Sequence, residues 1–152
     1  MDVVFDGVLI KNFKGIKELY VNFSDNTTIF GQNATGKTTI VDAVSYCLFG
    51  TDSLGNSKFE IRPLDKNGNK IHNIVISVCL FLRIDGKKTE LKRELSENWV
   101  KKRGSENPVL QGNVGSYEID GYPRSEKDYK EYINGIVSDD LFKMLTNPTY
   151  FP

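Results

Sequence analysis

The 152-residue chain has few of the residues that build metal or disulfide scaffolds, with two cysteines and a single histidine. Cys47 and Cys79 lie far apart among apolar neighbours, so neither a disulfide framework nor a zinc knuckle is expected, and a reducing compartment fits. Net charge is also missing. Twenty basic residues face twenty acidic ones, which excludes a chain that coats nucleic acid or membrane by bulk electrostatics and leaves only local contacts. No apolar run approaches the ~18 residues of a membrane span, and Met1–Asp6 lacks the basic start of a signal peptide. The expectation is a cytoplasmic protein with no membrane partner. With no internal repeat and no linker-like stretch, residues 1–152 read as one domain holding one ordinary core.

The chain opens with strand-like segments at Val8–Ile10, Leu19–Phe23 and Thr27–Phe30, broken at Lys14-Gly15 and Ser24-Asp25-Asn26. The first helical stripe is Ile40, Val41, Ala43, Val44, Cys47 and Leu48, which predicts a half-buried helix ending at Gly50. From Ile74 to Ile84 every second residue is apolar, as in a strand with one buried face. Asp85-Gly86 predicts a type I′ hairpin into Thr89–Leu95, and Asp120-Gly121 a second one after Tyr117–Ile119. Ser125 with Asp128 resembles a capping box ahead of the stripe Tyr129, Tyr132, Ile133, Ile136 and Val137. Ser138 then caps a short helix that Asn147-Pro148 breaks.

Residues 31–38, Gly-Gln-Asn-Ala-Thr-Gly-Lys-Thr, fit G-x-x-x-x-G-K-[ST], the loop that cradles phosphates in nucleotide triphosphatases. An apolar strand leads into the loop and an amphipathic helix leaves it, the context that the chemistry needs. Successive backbone N–H groups wrap an anion at the positive end of the helix dipole, and glycines permit close approach. In this geometry Lys37 bridges the β- and γ-phosphates as the catalytic cation. Thr38 places its hydroxyl on Mg²⁺, and Thr39 reaches the α-phosphate.

Together, Ile10-Lys11-Asn12-Phe13-Lys14-Gly15, the loop, Asp42-Ala43 and Leu48-Phe49-Gly50 resemble the start of the ATPase heads of SbcC, RecF and structural-maintenance-of-chromosomes (SMC) proteins. The resemblance is strong from residue 7 to 50 and weaker, though consistent in element order, to 147. It implies an α/β P-loop NTPase fold, the N-terminal lobe of an ABC-type head, with antiparallel β hairpins, a P-loop helix and C-terminal helices. It also implies ATP with Mg²⁺, held by Lys14, Gly15, Gln32, Asn33, Ala34, Thr35, Gly36, Lys37, Thr38 and Thr39. Arg62, in Glu60-Ile61-Arg62, stands where the family chain passes the adenine. Implied partners are the C-terminal lobe of the same protein, a second ATPase head, DNA and a nuclease subunit.

Two positions depart from that pattern. Ala34 replaces the usual glycine, which costs about 1 kcal/mol if the position needs φ > 0. Asn147 is the nearest substitute for the glutamine that helps to hold Mg²⁺. No strand ends in paired Asp-Glu, and no Leu-Ser-Gly-Gly-like signature occurs. The expectation is therefore an ATP-binding half-head cut from a longer coiled-coil ATPase, inactive by itself. Two alternatives stand beside it. One is a small self-contained P-loop kinase or GTPase, against which count the three strands before the loop and the absent Asn-Lys-x-Asp motif. The other is a non-catalytic, nucleotide-gated interaction module.

Weaker signals have plain readings. Asp65–Asn69 begins like a calcium loop but has its glycine in the wrong place, so a turn is expected. His72 has no partner at a catalytic spacing and reads as solvated. Between Arg83 and Arg103, eight basic residues outnumber four acidic ones, densest at Lys101-Lys102-Arg103. A solvated hairpin is favoured there over a DNA-facing one. Trp99 reads as packed rather than as a base-stacking platform, and Tyr129 and Tyr132 as core.

Overall fold

The computed structural model describes residues 3–23, 34–51, 61–104 and 106–136, with side chains of the first helix described from Thr39 onward. Six strands form one antiparallel sheet in the order β2-β1-β3-β4-β5-β6. They are β1 (Val3–Phe13), β2 (Ile16–Asn22), β3 (Ile76–Ile84), β4 (Lys87–Val100), β5 (Val109–Ile119) and β6 (Tyr122–Arg124). Helices α1 (Ala34–Phe49) and α2 (Glu126–Ile136) complete the described elements. The expected third strand at Thr27–Phe30 and the expected helix from Ser138 to Leu145 lie outside the described residues, as do Val137 and Asn147.

Both predicted hairpin turns form. Asp85 and Gly86 have φ of 50° and 82°, and Asp120 and Gly121 have φ of 53° and 83°, the left-handed pair that a two-residue type I′ turn requires. The first turn sets Leu80 opposite Leu91, and along the ladder Val21, Val8, Leu80, Leu91 and Ile119 stand side by side across five strands, all buried. This row lies at the centre of the core that α1 and α2 also enter. Opposite-charge pairs line the other face, among them Arg83 on Asp6 at 2.9 Å and Lys92 on Glu94 at 3.1 Å.

α1 begins at Ala34, inside the glycine-rich motif, so Ala34 has helical backbone and the strain foreseen for a positive φ does not arise. The helix ends as expected: Gly50 has φ of 73° and its N–H donates to the Tyr46 carbonyl. Its burial differs from expectation. Every residue from Ile40 to Leu48 is buried, including Asp42 and Ser45, so the helix is enclosed rather than half-exposed. A helix apolar all round belongs in an interior, and its two polar residues find partners there, Asp42 on Lys14 and Ser45 on Thr51.

At the other end of the chain, the Ser125 hydroxyl accepts the Asp128 N–H at 3.1 Å, which is half of the expected capping box. Tyr129, Ile133 and Ile136 form the buried stripe of α2. The Tyr129 hydroxyl donates to the Cys47 carbonyl at 2.7 Å and so satisfies a C-terminal helix carbonyl that has no intrahelical partner. Arg93 lies 5.0 Å from the rings of both Tyr46 and Tyr117, near the same helix end, where a cation is favoured.

Candidate functional site

The phosphate-loop residues Gly31, Gln32 and Asn33 lie outside the described residues, and for Ala34, Thr35, Gly36, Lys37 and Thr38 only the backbone is described. That backbone is the start of α1, Ala34 being its first residue. The first turn carries no acidic residue and does carry Lys37, so nothing offsets the positive helix end. An anion with several negative oxygens fits that donor set, and a hydroxyl at Thr38 is a suitable hard ligand for Mg²⁺.

The β1–β2 connection reaches the same helix. Lys14 has φ of 50°, a conformation uncommon for a residue other than glycine. Its N–H donates to the Ile61 carbonyl at 2.6 Å, and its ammonium lies 2.9 Å from Asp42 Oδ2. Asp42 is four residues beyond Thr38, hence one turn along the same side of the helix. Asn12, also left-handed at φ of 55°, fastens the turn from its other side by donating to the Val75 carbonyl at 2.9 Å. At Gly15, a Cβ would meet no atom within 4 Å.

Arg62, expected where the chain passes the adenine, has protein partners of its own. The side chain is buried, with Nη1 donating to the Ile71 carbonyl and to Glu97 Oε1, and Nη2 donating to Asn113 Oδ1, at 3.2–3.3 Å. A buried guanidinium needs such partners, and these bind it to β4 and β5. Glu97 also accepts the Asn73 N–H at 2.7 Å and lies 2.7 Å from His72 Nδ1. Desolvation pushes the Glu97 carboxyl up, but the bonds from His72 and Asn73 and the Arg62 charge outweigh it and hold the group below its ordinary 4.5.

His72 thus has an acidic partner that sequence spacing did not reveal, and its ring meets the edge of Trp99 at 5.9 Å. Contrary to the expectation that it packs, Trp99 is exposed at 37%, on the part of β4 that extends past β3. Asp65 and Gly68 form the expected turn, with Asp65 Oδ1 accepting the N–H groups of Asn67 and Asn69. Among the described residues no cluster of His, Cys, Asp or Glu could hold a metal. Both thiols are buried, and burial pushes Cys47 up to about 11 and Cys79 up to about 12, which leaves neither nucleophilic at neutral pH.

Residues 8–147 match the family model described as an AAA domain. The chain belongs to that family. Among similar proteins, the DNA replication and repair protein RecF of Acetivibrio thermocellus is 39% identical over 64 residues, 41% of this chain and 17% of that protein. RecF of Clostridium botulinum (strain Langeland) is 27% identical over 142 residues, 86% of this chain and 39% of that protein. This AAA domain chain therefore spans less than half the length of the relatives that it matches.

Solved structures agree in fold. The recombination mediator protein RecF with ATP superposes with a TM-score of 0.55 at 15% identity, over 85% of this chain and 30% of that one. The SMC head domain of Thermotoga maritima gives 0.50 at 21% identity, over 84% and 41%. The fold class is the expected one, a P-loop NTPase of the RecF and SMC head type.

Proposed function

We propose that this chain is the ATP-binding half of a DNA-repair or chromosome-maintenance ATPase head. The observation that carries the reading is the loop sequence Gly31–Thr38 running into a helix whose first turn has no acidic residue. Loop N–H groups cradle the β-phosphate, Lys37 bridges β- and γ-oxygens, and Thr39 reaches the α-phosphate. Mg²⁺ at Thr38 supplies further neutralisation of the phosphate charge when bound. Lys14 and Gly15 approach from the β1–β2 turn. Arg62 borders the site through its backbone, next to Ile61, while its guanidinium holds β4 and β5.

Hydrolysis in this reading needs groups that the sequence does not contain, an Asp-Glu strand end and a signature motif. They come from a C-terminal lobe of the same protein and from a second head. The share of RecF that the chain spans supports that division. DNA and a nuclease subunit are partners of the whole machine, in a cytoplasmic setting; among the described residues no helix is long and apolar enough to cross a membrane.

Calorimetric titration with Mg·ATP tests the reading. Weak binding without turnover is expected, and Lys37→Ala should lower the affinity at least about tenfold, the worth of a lost charge-assisted contact. Full ATP turnover by this chain alone, abolished by Lys37→Ala, would show that no further lobe is needed.

A further inference from the structure

The ion pair between Lys14 and Asp42 is costly for a merely structural tie. Asp42 sits within the buried, mostly apolar run of α1, with its side chain only 7% exposed, where a carboxylate is tolerated only if paired. Lys14 is held in a left-handed backbone conformation that disfavours its side chain, and a glycine would adopt it more cheaply. An apolar residue at 42 and a glycine at 14 would avoid that desolvation and that strain. What the present pair achieves, and that replacement cannot, is an ammonium fixed one helical turn from Thr38.

Three segments meet at this one residue. The Lys14 N–H holds the chain at Ile61, the Lys14 ammonium holds α1 through Asp42, and the backbone of Lys14 is itself the β1–β2 turn. We infer that Asp42 is a positioning residue: it aims the Lys14 ammonium along α1 toward the phosphate end of the nucleotide site and locks the turn and the Ile61 segment around it. The inference rests on the nucleotide-binding reading above and adds a residue that the loop motif does not include. Asp42 itself touches no nucleotide, because it lies a turn, about 6 Å, down the helix from the loop.

The test is a double-mutant cycle of Asp42→Asn and Lys14→Met, with Lys37→Ala as the control, reading affinity for Mg·ATP and for adenosine by calorimetry and the melting temperature by circular dichroism. Asp42→Asn keeps the side chain's volume and removes its charge. Each single variant should weaken ATP about tenfold and leave adenosine nearly unchanged, and the double variant should be no weaker than Lys14→Met alone. Lys14→Arg, which restores the cation, should recover most of the ATP affinity.

Fully additive effects, or equal losses for ATP and adenosine together with a fallen melting temperature, would reduce Asp42 to a structural residue. If Lys37→Ala abolishes ATP binding while Asp42→Asn binds as the wild type does, the positioning role fails and the nucleotide site stands. A wild-type chain that binds no better than Lys37→Ala overturns both.

Discussion

The two ends of the β4–β5 hairpin share strands and ladder but not surroundings. Near the Asp120-Gly121 turn, Leu91 faces Ile119 across the ladder, and both are buried in the row that runs on through Leu80 and Val8. At the far end β3 has already stopped: its first residue, Ile76, pairs with Leu95, and Ser96–Val100 continue against 109–114 as a two-stranded ribbon. There Val109, Leu110 and Val114 stand exposed, and a bulge at Asn98/Trp99 breaks the register. What holds the ribbon to the rest is polar, namely Arg62, His72 and Asn73 gathered on Glu97. Backbone pairing sets the length of a strand, whereas the layer packed on it decides how much stability each residue contributes. The two ends should therefore respond to substitution by different amounts and in different observables.

The largest contrast lies between two apolar truncations. Leu80→Ala removes a fully buried side chain beneath α1 and should cost about 3 kcal/mol, within the 2–5 kcal/mol span for such cavities. Val114→Ala, at a residue 48% exposed on the ribbon, should change stability by less than about 0.5 kcal/mol. Urea unfolding of both variants checks the pair. Equal losses would mean that the ribbon is as deeply packed as the sheet centre.

A smaller effect is expected at the seam between α1 and α2. Tyr129→Phe deletes the hydroxyl that serves the Cys47 carbonyl and lies 3.5 Å from the Cys47 thiol, leaving both groups in a dry interior. A loss of about 1–2 kcal/mol follows from one unmade buried hydrogen bond. The same dryness pushes the Tyr129 hydroxyl far above its ordinary range, so no spectroscopic titration of this tyrosine should appear below the pH of unfolding. A wild-type melting temperature for Tyr129→Phe would remove the helix-capping role.

How much of this was legible in the sequence depends on how local each signal is. Asp85-Gly86, Asp120-Gly121, Ser125 with Asp128, and Gly50 act over two to four residues, and each turned or capped the chain where the sequence reading put it. The phosphate-loop motif is local in the same way and marks the start of α1. Glu97 and His72 are 25 residues apart, Lys14 and Asp42 28, and Cys47 and Tyr129 82, and no periodicity within one element encodes such pairs. The partners of Arg62, Glu97 and Asn113, lie on strands that no local pattern brings near it. The far ends of β4 and β5 were missed because polar residues such as Ser96, Glu97 and Asn98 give no alternating apolar signal, although the ladder carries them along. The full enclosure of α1 was missed for the opposite reason. Its apolar stripe marks one face only, and the partners that let Asp42 and Ser45 be buried as well, Lys14 and Thr51, lie outside the helix.

The subtlest contrast between the two ends should be one of pH, and a single fluorophore reports it. Trp99 is the chain's one tryptophan and stands on the ribbon beside His72, so its emission follows the ribbon while far-ultraviolet circular dichroism follows the whole. Glu97 is held below its ordinary 4.5 in the folded chain, so the unfolded state binds its proton more readily. The tie made by Glu97 is then fully present above about pH 4.5 and is lost as pH falls through the lower folded value. In wild type, Trp99 emission should shift on acidification below that point before the dichroism of the sheet changes, because the core row under α1 contains no titrating group. Glu97→Gln should show the shifted emission already at neutral pH and lose the acid step, with little change in the global melting curve. If emission and dichroism instead move together in both proteins, the ribbon and the sheet centre are one cooperative unit, and the difference in packing between them has no consequence for how the chain opens.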